Sequence, residues 1–208
     1  MHPVLIILII FILLLIFGVF YSLNKKKKRG ELFNQFAKNL GFNISFRDEG
    51  PNKEYTLSGN VNGSEVVYSE DRLNDFKIRD LGKGDWTLIT FKNSPIDFDF
   101  EVYLDNWAMQ AMKPLGYQDI EIGNAKFDKK FFCHSKEAEK LKLILDDQAL
   151  QEFLIKLEDS FYQGFDFRSI TKEKYLQFSF YGKIRNQKQL DLMKNVIDFM
   201  RIITEKFK

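Results

Sequence analysis

The sequence predicts an α+β fold: a single N-terminal transmembrane helix, then a mainly antiparallel sheet packed with helices, including a long C-terminal helix. Three observations carry this. Val4 to Leu23, VLIILIIFILLLIFGVFYSL, has no charged residue. Asn62-Gly63 sits between two runs in which apolar and polar residues alternate, a strong hairpin signal. Gln187 to about Lys206 reads as a helix with Leu190, Met193, Ile197, Met200 and Phe207 at helical spacing. Regular strand–helix–strand alternation is missing, which argues against a parallel doubly wound sheet.

The N-terminal segment comes first. Twenty residues rising about 1.5 Å each span roughly 30 Å, the thickness of a bilayer's hydrocarbon core. A helix satisfies its own backbone hydrogen bonds in lipid, and Tyr21 lies near the end, where an interfacial aromatic belongs. A cleavable signal peptide needs basic residues before the apolar run and an A-x-A-like site after it, and neither is present. Lys25, Lys26, Lys27, Lys28 and Arg29 follow at once. The positive-inside rule then puts the N-terminus outside and the rest in the cytoplasm, on a single-pass protein of the cell (inner) membrane. The expected organisation is an anchor over 1–24, a basic juxtamembrane segment over 25–30 and a soluble domain over 31–208. The five cations fix topology, and they also attract anionic lipid head groups at about 1 kcal/mol each near the surface. They are the expected membrane-surface contacts.

Charge narrows the partners. The chain holds 31 Lys+Arg against 29 Asp+Glu, and five of the cations lie in the basic run. The remainder is mildly acidic, which disfavours a nucleic-acid function, since phosphate binding needs clustered cations. One cysteine cannot form an internal disulfide.

In the soluble part, residues 31–40 read as a short helix with Leu32, Phe33, Phe36, Ala37 and Leu40 on one side and Gly41 as its stop. Residues 55–61 and 64–69 form a hairpin around Asn62-Gly63. A two-residue turn sets Gly59 opposite Val66 and Leu57 opposite Tyr68, with Thr56, Ser58 and Asn60 on the other face. A second hairpin is expected between 85–92 and 96–104 around Asn93-Ser94-Pro95. A strand is expected over 127–134, and a third hairpin joins 161–168 to 174–181. Ser135, Asp147 and Asn186 are candidate caps for three helices, the last of them the long C-terminal one. Its apolar stripe is expected to pack on the sheet.

Chemistry is sparse. C-x-x-C, H-E-x-x-H, an EF-hand loop and G-x-S-x-G are all missing. Leu81 to Trp86, LGKGDW, contains G-x-G without the rest of a dinucleotide loop and reads as a turn. No cofactor and no metal is expected. Asp97, Asp99 and Glu101 alternate with Phe98, Phe100 and Val102, so in a strand the carboxylates share a face. Such a face could hold a hard cation or do acid–base work, but a solvated sheet face over a Phe-lined core is the preferred reading, because alternation alone explains every residue. Cys133 and His134 are adjacent, and adjacent residues in a strand point to opposite faces, so they do not form a dyad.

Residues 115–154, from LGYQDIEIGNAKFDKKFF onward, resemble a group of uncharacterised bacterial proteins that often carry an N-terminal membrane helix. The signature I-G-[DN]-x-x-F-D-x-x-F is carried by Ile122, Gly123, Asn124, Phe127, Asp128 and Phe131. The usual Asp after the glycine is Asn124 here. The resemblance implies fold and anchoring, and no reaction. In the residues themselves, Gly123-Asn124 reads as a turn, Phe127 and Phe131 as core anchors and Asp128 as a local cap. Together these features point to a membrane-anchored interaction domain without catalysis. A domain that binds a lipid or other apolar ligand is the alternative, and a carboxylate-dependent enzyme a third reading.

Overall fold

The computed structural model describes residues 3–49, 52–73, 84–104, 119–158 and 165–208. Helix α1 runs without a break over Pro3–Leu40. Strands β1 (Asn43–Glu49), β2 (Asn52–Val61), β3 (Ser64–Leu73), β4 (Gly84–Lys92) and β5 (Phe100–Leu104) follow. Then come α2 (Ala125–Asp128), β6 (Phe131–Ser135), α3 (Ala138–Leu145) and α4 (Gln148–Glu158). The chain ends with β7 (Phe165–Ile170), a 3-10 turn (Thr171–Glu173), β8 (Tyr175–Tyr181) and α5 (Gln187–Lys206). The class is α+β. All eight strands form one antiparallel sheet in the order β1-β2-β3-β4-β8-β7-β5-β6.

The expected 31–40 helix and the basic segment before it are both parts of α1. At about 1.5 Å per residue, its 38 residues make a rod of roughly 57 Å. Gly41, at φ +68°, ends it, and the Phe42 amide reaches back to the Ala37 carbonyl at 2.8 Å, as a left-handed glycine stop requires. Among the described residues no helix is long and apolar enough to cross a membrane.

The first hairpin matches its expected register: Gly59 faces Val66 and Leu57 faces Tyr68. Asn62 (φ +50°) and Gly63 (φ +86°) are both left-handed, as a type I′ turn demands. Gly59 has a second reason to lack a side chain. A Cβ there would stand 2.1 Å from Cδ1 of Phe42, whose ring covers it.

The expected pairing of β4 with β5 does not form. β4 pairs with β3 and β8, while β5 pairs with β6 and β7. The β7–β8 hairpin is inserted between them. Residues 96–99 keep the alternation, with Ile96 and Phe98 buried and Asp97 and Asp99 exposed, but they join no ladder. The β7–β8 pairing is as expected, with Arg168 opposite Gln177; residues 161–164 of the expected first arm lie outside the described residues, as do 81–83 of LGKGDW and 115–118 of the resemblance region.

Around the signature, strand gives way to helix. The Asn124 side chain accepts from the amides of Lys126 and Phe127, which starts the turn of α2 where a strand was expected. Asp128 accepts from the amides of Ile122 and Gly123, both at 3.0 Å. Phe127 and Phe131 remain core anchors, with ring centroids 4.4 Å apart. Asp147 and Asn186 cap α4 and α5 as expected. Ser135 does not cap α3: its hydroxyl accepts from the Glu137 amide and donates to the Asp99 carbonyl, and Glu137 stands at the cap position. One core joins the helices to one sheet face. Phe199 of α5 meets Phe167 at 5.4 Å, and Phe33 of α1 stacks on Tyr55 at 4.5 Å.

Candidate functional site: a cationic cleft beside the long helix

Three features of α1 position the site. Tyr21, Lys25, Lys28 and Leu32 recur at steps of three and four residues, and Ser22, Lys26 and Arg29 form the adjoining row. Such residues lie on one side of a helix. That side faces the loop between β8 and α5, which brings Lys183, Arg185 and Asn186; Asp85 of β4 and Tyr55 of β2 complete the walls. The resulting cleft has a volume of about 590 Å³. Lys27 falls off this side and lies 4.0 Å from Glu31 instead.

Arg29 holds the two walls together. Its Nε donates to the Ile184 carbonyl at 2.7 Å, and its guanidinium pairs with the Glu70 carboxylate. It also lies 5.2 Å from the Phe33 ring and 5.0 Å from the Tyr55 ring. Glu70 is fully buried and accepts further bonds from the Tyr68 hydroxyl (2.6 Å) and the Tyr55 amide (3.3 Å). Arg29 is therefore spent on the domain and corrects the expectation that all five cations meet the membrane surface. The loop is tied to β4 as well: the Gly182 amide donates to the Asp85 carbonyl, and Thr87 Oγ1 donates to the Gly182 carbonyl, both at 2.7 Å.

The charge balance follows. Lys183 is buried between Glu54 (3.0 Å) and Asp85 (3.6 Å). Lys25, Lys26, Lys28 and Arg185 make no ion pair among the described residues. The cleft is thus cationic, with the N-terminus of the 20-residue α5 at its rim and no acidic residue in that helix's first turn.

The acidic residues singled out in the sequence do not gather. Asp97 pairs with Lys140 at 3.1 Å. Asp99 accepts from both the amide and the hydroxyl of Thr171 at 2.7 Å. Only Glu101 is in a strand, opposite His134 of β6 and Arg168 of β7. Cys133 and His134 point to opposite faces, as expected of a strand: Cys133 is buried in the core and His134 is half-buried on the other face. Burial pushes the Cys133 thiol up, and the carboxylates of Asp119 and Asp128 add to the shift. Among the described residues no group of three His, Cys, Asp or Glu side chains could hold a metal ion.

That second face carries a cluster the sequence did not flag. Asp166 and Arg168 are buried and paired there, beside Tyr103 and Ser179. Burial pushes the Asp166 carboxyl up to about 6 against the pull of Arg168. Lys183 and Arg185 were also missed. Gly-Lys-Ile-Arg-Asn before a capped helix is visible as a cationic loop, but nothing local places it against a basic run 155 residues earlier.

No protein-family model matches the chain, and no curated protein is similar to it. Fold and cleft define a class: an antiparallel α+β domain packed against the C-terminal end of a long N-terminal helix, with cations gathered at the junction.

Proposed function

We propose that the chain is a single-pass membrane protein whose C-terminal domain is a non-catalytic interaction module held fixed at the cytoplasmic surface. The carrying observation is the exposed part of α1. Ile10 to Leu23 is apolar on every side of the helix, and Phe11, Leu14, Phe17 and Phe20 are all more than half exposed. A surface helix that packs on a domain keeps one apolar stripe; one apolar all round needs an apolar surrounding. The uncharged run Val4 to Leu23 has the length of a span, and the cations that end it favour the N-terminus outside. The Arg29 clamp then gives the domain one orientation toward the bilayer instead of a loose tether.

The apolar-ligand alternative draws on the many phenylalanines. Those in the sheet pack on one another, as Phe165 on Phe178 at 5.3 Å and Phe131 on Phe165 at 5.4 Å, which supports a filled core. The carboxylate-enzyme reading loses support because Asp97 and Asp99 serve separate partners.

The test is extraction of the full chain from membranes with alkaline carbonate, with a reporter fused after Lys208. The chain is expected to stay in the pellet with the reporter active in the cytoplasm. Release into the supernatant refutes anchoring, and a reporter active only outside refutes the orientation. Turnover of any substrate class in a broad screen refutes the non-catalytic reading.

A further inference from the structure

We infer that the cleft between α1 and the β8–α5 loop is a binding site for the phosphate-bearing headgroup of an anionic phospholipid. This rests on the anchored reading and adds a ligand to it. Anionic lipids are attracted to any basic run by charge alone, and that attraction treats each lysine of the run alike. The structure does not treat them alike. Lys25, Lys26 and Lys28 line the cleft, while Lys27 turns away toward Glu31. The fourth unpaired cation, Arg185, comes from the β8–α5 loop, distant in sequence.

Size, charge and depth agree on the ligand. About 590 Å³ lies within the usual range for small-molecule sites, roughly 300–1,000 Å³. Four unpaired cations outweigh the one surplus carboxylate that Asp85 and Glu54 leave around Lys183, and with a helix N-terminus at the rim they suit a phosphate. Tyr21 and Ser22, the last turn of the apolar run, are also part of the wall. With that run in the bilayer, the mouth of the cleft stands at headgroup level, which favours a lipid over a soluble phosphate compound. Arg29 keeps the walls in register without using its charge on the ligand.

The experiment places the full chain in nanodiscs of phosphatidylcholine with a minority of phosphatidylglycerol and reads retained lipids by native mass spectrometry. Phosphatidylglycerol is expected to be retained over phosphatidylcholine. Lys28→Gln and Arg185→Gln are each expected to cut that preference about fivefold, roughly 1 kcal/mol, and Lys27→Gln less than about twofold. Lys28 and Arg185 are exposed, so these variants keep the fold, checked by an unchanged melting temperature. Absence of a preference, or an equal loss in Lys27→Gln and Lys28→Gln, overturns the site. Glycerol phosphate that displaces the lipid at matched concentration overturns the lipid as the source. A chain that does not enter nanodiscs refutes the anchoring instead, a separate failure.

Discussion

Replacing Arg29 by Met removes the charge that answers Glu70 while keeping most of the side chain's bulk. The structure sets the magnitude. Glu70 has no exposed side-chain surface, so its carboxylate loses its counter-charge with no water to replace it. The bonds from Tyr68 and the Tyr55 amide remain, but neither carries charge. Breaking one side of a buried pair costs about 3–5 kcal/mol, and the lost stacking on Phe33 and Tyr55 adds to that end of the range. At about 2–4 °C per kcal/mol for a domain of this size, the melting temperature is expected to fall by roughly 10 °C. Thermal melts of the full chain in detergent, followed by tryptophan fluorescence, read this. Trp86 is buried in β4 and reports on the sheet. Lys28→Gln, which loses no pair, is expected to change stability by less than about 0.5 kcal/mol. Adding Glu70→Gln to Arg29→Met is expected to recover part of the loss, because the orphaned charge is gone. A shift no larger than that of Lys28→Gln, or strict additivity in the double variant, refutes the clamp.

Three further outcomes follow from particular residues. Folding raises the Asp166 carboxyl from 3.8 to about 6, so the native state keeps the proton longer than the unfolded chain. Its contribution to stability is therefore greatest below about pH 4, falls as pH rises toward 6, and levels off above, by on the order of 1–3 kcal/mol. Urea midpoints across that window should show the slope flattened in Asp166→Asn, and an unchanged slope rules the residue out as its source. Gly59→Ala is expected to cost about 1–3 kcal/mol by chemical denaturation, because the new methyl meets the Phe42 ring. Phe42→Leu in the same chain should relieve part of that cost, and no relief would put the strain elsewhere. Cys133 is expected to resist iodoacetamide in the native chain and to react in denaturant, since burial keeps the thiol protonated. Fast stoichiometric labelling of the native chain would contradict its place in the core.

Local chemistry was legible where the cause lies within a few residues. Asn62-Gly63 can only turn one way, and with Leu57 and Tyr68 on the same face it sets the β2–β3 register. Asn186 and Asp147 cap because their side chains need reach only the amides two or three positions ahead. The same rule worked against the 127–134 strand, since Asn124 caps a helical turn whose start was read only as a bend. The β4–β5 hairpin failed for a different reason. Alternation tells which face a residue takes, and it held for Ile96 and Phe98, but it carries no information about which strand lies alongside.

By itself, then, the sequence determined the class, the apolar segment with its cationic border, the first hairpin and the Asp147 and Asn186 caps, because each rests on short-range sterics or on periodicity. Only the tertiary structure decided that the basic run is helical and continuous with the domain, that Arg29 is consumed by Glu70, and that Lys183 and Arg185 face Lys25, Lys26 and Lys28. Those facts depend on where the sheet carries the β8–α5 loop. That placement follows from strand order, which is set by the packing of the whole core and is not written in any one stretch of the chain.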